Sequence, residues 1–287
     1  MKTILNVAIL CCISAFSPLQ LDAQMLWHNN PIGAVFARQG GDTPAGVYRF
    51  TSGGYEIYTL QCSDDPDMAQ PTSLFYGKDN VDKEKVDKLA PDGRVPSAMN
   101  CYLVKIGNDY YMIDTGMGDK ALQKLSLLAV KPGYIKGIFI THSHGDHIGG
   151  LLDSNGKAVY DNAILYIPEG EKDFMMSKQA DNYAAITKEY DGRIQWIKNG
   201  EVLAGGMLSI AAPGHTPGHM VFRLGSLLFV GDIMHGAAIQ LIDPTICARF
   251  DSDHAQSAKI RNDILNYAIE NSLTVIGAHI PGNGVIF

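Results

Sequence analysis

Short apolar runs bounded by turn residues alternate with longer stretches of helical spacing along most of the chain. Residues 47–50 and 55–61 flank Thr51-Ser52-Gly53-Gly54, the pattern of a β-hairpin. Residues 101–106 and 110–113 form a second hairpin pattern across Gly107-Asn108, and its second strand runs into Asp114-Thr115-Gly116. Residues 120–130 carry Leu122, Leu125 and Leu128 at helical spacing, and Pro132-Gly133 then turns the chain into a buried strand over 137–141. Strands follow at 163–166, 194–197, 207–211, 219–224, 227–230 and 273–276, with helices at 168–178, 182–190 and 255–270 between them. The last helix is amphipathic, with Ile260, Ile264, Leu265 and Ala268 on one face and Asp253 as its candidate cap. Hairpins followed by β-α alternation, twice over, predict an α/β protein whose stacked sheets lie between helix layers.

Two stretches lack such periodicity. Residues 27–42 predict a loosely ordered lead-in. Residues 64–97 predict a polar, proline-bearing insertion with at most one short helix near 81–89, either a solvated loop or a lid over a cleft. Ahead of both, Lys2, the apolar residues 4–16 and Leu21-Asp22-Ala23-Gln24 have the order of a secretory signal peptide cut after Ala23. The expected organisation is therefore a signal over 1–23 and a single domain over 24–287, exported to a periplasm or the extracellular space.

Composition narrows this picture. A chain of 287 residues that is 46% hydrophobic can bury a substantial core. Its net charge of −7 argues against a nucleic-acid partner, and no membrane span is expected once the signal is removed. Cys62, Cys101 and Cys247 remain in the mature chain, an odd number at no metal-ligand spacing. Buried free thiols are the expectation for them, with one disulfide left open.

The chemistry is concentrated in Thr141-His142-Ser143-His144-Gly145-Asp146-His147-Ile148-Gly149-Gly150. These histidines leave the end of a predicted strand, and Asp146 falls at the expected start of a helix running through His147 to Leu152. His215, Asp232 and His279 follow other strand ends. Five imidazoles and two carboxylates suit two borderline-soft divalent ions, His142, His144 and His215 holding one and Asp146, His147 and His279 the other, with Asp232 bridging. Zinc is the expected metal, with manganese, iron and cobalt as alternatives, and a shared water would supply a hydroxide nucleophile near neutral pH. His219 and His235 read as structural or supporting, His235 close enough to Asp232 to face substrate; His28 and His254 have no partners in view.

The run from His142 to His147 resembles the signature of the metallo-β-lactamase-fold superfamily. Asp114-Thr115-Gly116, Gly214-His215-Thr216-Pro217-Gly218-His219, Gly231-Asp232 and Gly277-Ala278-His279 are similar to its other motifs. The resemblance implies an αββα sandwich, a dinuclear site, and Asp114 as a residue that orients a ligand histidine. Residues 47–50, Asn162-Ala163, Gly231-Asp232-Ile233-Met234-His235 and Phe250-Asp251-Ser252-Asp253 look like the branch containing methyl parathion hydrolase and acyl-homoserine lactonases. Relatives carry a further strand after the last histidine, where this chain has only residues 284–287.

The expected activity is hydrolysis of a small ester, lactone or phosphotriester, with Asp232 and Asp146 as the candidate catalytic carboxylates. Asp232 disfavours β-lactam hydrolysis, and His144 stands where diiron oxygen reductases of the superfamily usually carry glutamate. The alternatives are a thioesterase of the hydroxyacylglutathione hydrolase type and a metal-dependent binding module without turnover. A small-molecule substrate is the expected partner, and the oligomeric state is open.

Overall fold

The computed structural model describes residues 43–286. The expected signal at 1–23, the lead-in at 27–42 and His28 lie outside the described residues. In chain order the strands are β1 (Val47–Ser52), β2 (Tyr55–Gln61), β3 (Ala69–Pro71), β4 (Arg94–Pro96), β5 (Asn100–Ile106), β6 (Asp109–Ile113), β7 (Ile135–Phe139), β8 (Ile164–Pro168), β9 (Ile194–Ile197), β10 (Leu208–Ala211), β11 (Met220–Leu224), β12 (Leu227–Phe229), β13 (Thr274–Ile276) and β14 (Val285–Ile286). The helices are α1 (Lys83–Leu89), α2 (Lys120–Leu127), α3 (Gly145–Ile148), α4 (Lys172–Lys178), α5 (Ala180–Glu189), α6 (Ala237–Gln240) and α7 (His254–Glu270). Among the described residues no helix is long and apolar enough to cross a membrane.

One sheet has the order β1-β2-β5-β6-β7-β8-β9 and the other β10-β11-β12-β13-β14. Successive strand residues face opposite sides, so adjacent apolar residues serve two cores. Leu103, Met112, Ile138 and Leu165 join Leu125 of α2, Met175 of α4 and Ile186 of α5 on the outer face of the first sheet. Their neighbours Val104, Ile113, Phe139 and Tyr166 meet Phe222, Leu227, Phe229 and Ile276 of the second sheet. The outer face of that sheet, with Val221, Leu228 and Val275, is covered by Ile264, Leu265 and Ala268 of α7. The layering is thus helix, sheet, sheet, helix, as expected. Asp253 caps α7 by accepting from the Gln256 amide at 2.9 Å.

Several local expectations are corrected. β7 starts and ends two residues earlier than the apolar run suggests, so Ile140 and Thr141 already belong to the loop. The helix expected to reach Leu152 is the single turn α3. Gly149-Gly150 explains the stop: the Gly150 amide donates to the Gly116 carbonyl at 3.1 Å, and a Cβ there would lie 2.4 Å from the Thr115 carbonyl oxygen. The short tail does form a strand, because β14 pairs antiparallel with β13 and completes the sheet edge. Residues 64–97 are not a solvated loop: β3 and β4 pair, and Phe75, Val86 and Val95 pack with Ile239 and Ile246 in a core of their own. All three described cysteines are free and buried, with the sulfurs of Cys62 and Cys101 3.3 Å apart.

Phe139 ties the two sheets together three residues before the first ligand. Its buried ring stacks on Tyr166 at 4.8 Å and meets Phe222 of the facing sheet at 5.6 Å. Phe139→Ala is expected to cost roughly 3–5 kcal/mol through lost contacts and the cavity left behind. Urea unfolding measures this, and a loss below about 1 kcal/mol would show that the inter-sheet core closes without the ring.

Candidate metal centre

The candidate ligands leave four strand ends at one edge of the sandwich. The loop after β7 brings His142, His144, Asp146 and His147; His215 comes from the loop after β10, Asp232 from the turn after β12 and His279 from the turn after β13. The turn at Gly231 has φ +52, and a Cβ there would lie 2.7 Å from His219 Nε2, so only glycine lets Asp232 approach the β7 loop this closely.

Two groups form around Asp232. His142 Nε2, His144 Nδ1 and His215 Nε2 lie 2.9–3.2 Å from one another. Asp232 Oδ2 is 3.7 Å from His142 Nε2 and 3.5 Å from His215 Nε2. On the other side, His147 Nε2 is 3.1 Å from Asp232 Oδ1, and His279 Nε2 is 3.1 Å from Asp232 Oδ2 and 3.5 Å from Asp146 Oδ2. Ligand atoms within each group all lie within 4.8 Å of one another. The structure thus brings together the side chains that the sequence grouped as candidate ligands, with Asp232 near both sets.

The opposite ring nitrogens explain why these faces are turned inward. Asp114 Oδ2 accepts from His147 Nδ1 at 2.7 Å, Asp251 Oδ1 from His215 Nδ1 at 2.8 Å, and the Ala98 carbonyl from His279 Nδ1 at 2.7 Å. A carboxylate or carbonyl can only accept, so each Nδ1 holds a proton and each Nε2 is the ring nitrogen turned to the centre, free to ligate once it carries no proton. Asp114 also accepts from the Thr141 amide and hydroxyl, both at 2.8 Å, and Thr141 Oγ1 lies 3.1 Å from His142 Nδ1. One carboxylate therefore orients two ligand loop positions. Its own backbone is left-handed, φ 57, a conformation that Asp tolerates better than most residues.

Lone pairs converging at about 3 Å repel unless positive charge lies between them. Burial among neighbouring imidazoles keeps His142 well below its ordinary value and pushes His144 down to about 4, so neither supplies that charge. Burial also disfavours a charged His279, yet Asp232 and Asp146 lift it to about 9, and the same carboxylates with Asp114 hold His147 well above its usual range. Burial works against a charged Asp232 as well, but the surrounding histidines, His147 first, hold its carboxyl far below the usual carboxylate range. Buried His147 Nε2 and Asp232 Oδ1 make no hydrogen bond. Nitrogen-rich pockets with inward lone pairs and a shared carboxylate fit two divalent cations of the zinc type.

His219 and His235 both contact Asp232, and the His235 ring lies 4.8 Å from that of His215 and 4.9 Å from that of His279. His219 Nε2 accepts from the Asp232 amide at 3.0 Å, and His235 Nε2 lies 3.1 Å from Asp232 Oδ2. Both are buried, and burial first of all pushes them down to about 3 and about 4. His254 is the first residue of α7, outside both groups. The centre opens at His144 and Asp146, the two ligands that are not fully buried. Phe174 meets the His144 ring at 5.8 Å and half-exposed Phe250 meets His235 at 4.5 Å.

Nothing in the sequence marks a role for Asp251, Glu171 or Arg261. Asp251 lies within a segment that carried the narrower resemblance, but nothing in its spacing points to His215. Glu171 reads as an ordinary acidic residue at a helix start, and Arg261 as a polar residue within an amphipathic helix. Arg261 is in fact fully buried, donating to the Ile233 carbonyl at 2.5 Å and the Ile246 carbonyl at 2.8 Å, with its guanidinium 3.7 Å from Asp251.

Asp114→Asn removes one acceptor oxygen and is expected to weaken zinc binding about 10–100-fold, as measured by competition with a chelating dye. Unchanged affinity would show that Asp114 does not hold the ligands. A second expectation concerns the chelated protein. His142, His144, His219 and His235 titrate below their ordinary 6.5 when folded, so the unfolded chain binds more protons as pH falls from 6.5 towards 4. Stability is therefore lost over that window, read as a lower urea midpoint at pH about 4.5 than at about 6.5. An unchanged midpoint would mean that these imidazoles are not buried neutral.

Residues 94–279 match the Metallo-beta-lactamase superfamily, a span that is more than half of the chain and includes every ligand named above. The chain is similar to hydroxyacylglutathione hydrolase of Aeromonas hydrophila, 26% identical over 169 residues that make up 58% of each protein. It is also similar to hydroxyacylglutathione hydrolase of Serratia proteamaculans, 28% identical over 184 residues, 63% of this chain and 66% of that one. An uncharacterized Bacillus subtilis protein, YobT, is 29% identical over 142 residues, 45% of this chain and 60% of that one. The chain thus spans about 60% of the length of the curated relatives it matches. Among solved structures, hydrolase AbOPH of the beta lactamase superfamily aligns with TM-score 0.72 and 22% identity over 85% of this chain and 93% of that one. AidC, a dizinc quorum-quenching lactonase in complex with a product N-hexnoyl-L-homoserine, aligns with TM-score 0.72 and 24% identity over 85% and 94%. At these identities the structural likeness is one of fold.

Proposed function

The chain belongs to the metallo-beta-lactamase superfamily, and from that premise we propose that it is a dinuclear-metal-dependent hydrolase of small esters or lactones, with phosphotriesters as a related substrate class. The observation that carries this reading is the Asp232 carboxylate set between two ligand groups, within 3.1 Å of ring nitrogens of His147 and His279 on one side and 3.5 Å of His215 on the other. Two zinc ions held there would supply Lewis acidity at the scissile group and lower the pKa of a shared water towards about 7. His142, His144 and His215 would hold one ion, Asp146, His147 and His279 the other, and Asp232 both.

The protein's own groups account for the rest. Asp232 is kept ionised by its imidazole surroundings, and His235, 3.1 Å from its Oδ2, helps to fix the carboxylate. Asp146 stands at the open side, where it can accept a proton released during bond cleavage. Phe174, against the His144 ring, and half-exposed Phe250, against the His215 and His235 rings, offer apolar surface beside the centre to an acyl or aryl group. These walls favour a largely apolar substrate. The N-terminal signal pattern supports action outside the cytoplasm.

A thioester is the second reading, supported by the identity to two hydroxyacylglutathione hydrolases. The test is a panel of an acyl-homoserine lactone, an aryl ester, a phosphotriester and a hydroxyacylglutathione thioester, offered to zinc-loaded protein. Turnover of the lactone or aryl ester is expected to lead, and chelation to abolish it. Asp232→Asn, with metal content checked, should lower kcat/KM at least about 100-fold, near 3 kcal/mol of transition-state stabilisation. A leading thioester would establish the second reading. No turnover of any member by protein holding two metals would overturn the hydrolase in favour of a binding module.

A further inference from the structure

Glu171 is fully buried in the turn between β8 and α4, and it touches none of the ligand atoms. Its Oε2 accepts from the Ser143 amide at 2.9 Å and the Ser143 hydroxyl at 2.5 Å. Its Oε1 accepts from the Gly218 amide at 2.9 Å. Ser143 lies between His142 and His144, and Gly218 lies three residues beyond His215. One carboxylate therefore joins the two loops that carry all three imidazoles of the first ligand group. From the end of α4, Gln179 Nε2 also donates to the Ser143 carbonyl at 2.6 Å, holding the same loop to the same layer.

The second ligand group is built without this brace. Asp146 and His147 share the turn α3, His147 is backed by Asp114, and His279 is backed by the Ala98 carbonyl. A buried carboxylate is costly unless its oxygens are saturated by donors. Here each oxygen serves a different loop, which a hydroxyl or a carboxamide cannot do. A glutamine in the same place has one acceptor oxygen and one NH2, so whichever way it turns, an amide donor of one loop faces another donor.

We propose that Glu171 is a positioning residue that sets the separation between the His142–His144 loop and the His215 loop, and thereby the metal affinity of the first group alone. The proposal rests on the dinuclear reading above. It gives the first group a brace that the second does not share, so the first can be weakened by itself.

The test is zinc titration of metal-free protein by calorimetry, with cobalt absorption as an independent report on coordination. Wild type should take up two ions. Glu171→Gln should keep one at wild-type affinity and bind the other about 10–100-fold more weakly, the range for partners that hold metal ligands in place. Ser143→Ala, which removes only the hydroxyl donor, should shift the same ion in the same direction by less, and it carries the test if Glu171→Gln does not fold. His279→Ala should leave one tight ion, and adding Glu171→Gln to it should leave none. Thermal unfolding of the metal-free variants identifies general loosening, which would weaken both ions together. Two ions at wild-type affinity in Glu171→Gln, or equal weakening of both, would overturn the role of Glu171 while leaving the dinuclear site standing. A wild type that takes up no zinc would overturn both.

Discussion

Five imidazole faces meeting around one carboxylate are the arrangement on which the rest of this protein depends. His142, His144, His147, His215 and His279 approach Asp232 from the ends of three strands in two sheets, and the converging nitrogens of His142, His144 and His215 repel one another as bare lone pairs. The fold therefore has to hold each ring by its far nitrogen. Asp114, Asp251 and the Ala98 carbonyl do this directly for three of them, and Thr141 relays the hold of Asp114 to a fourth. A sandwich suits the task because its strand ends lie at one edge, and the Phe139 layer fixes the sheets against each other just beneath.

The supports reach through every layer. On one outer side, the turn before α4 supplies Glu171 to the two loops of the first ligand group. On the other, Arg261 of α7 crosses the core to hold the Ile233 and Ile246 carbonyls and to face Asp251, the partner of His215. The segment between β2 and β5 also takes part. Ala98 lies at its end, and Ser97 Oγ donates to the His235 carbonyl at 3.2 Å. Asn100 and Tyr102 of β5 then donate to the Ile280 and Gly277 carbonyls, so the His279 turn is held by the opposite sheet. A region that reads as a polar excursion is in this way a wall of the metal centre.

The sequence by itself determined the α/β class, nearly every strand, the capped α7 and which seven candidate ligands would gather in two groups. The reason is physical: period-two apolar runs, helical spacing and glycine-bounded strand ends are local signals, and ligand residue types are few. Tertiary structure decided what depends on close approach. Gly150 meeting Gly116 reduced an expected helix to one turn, the pairing of two residues with β13 completed an edge, and the Phe75 and Val95 core turned a loop into structure. It also selected Asp251, Glu171, Arg261 and the Ala98 carbonyl as supports. A carboxylate or carbonyl carries no local mark of the partner it will meet, because that partner can lie as far as 181 residues away and is set by packing.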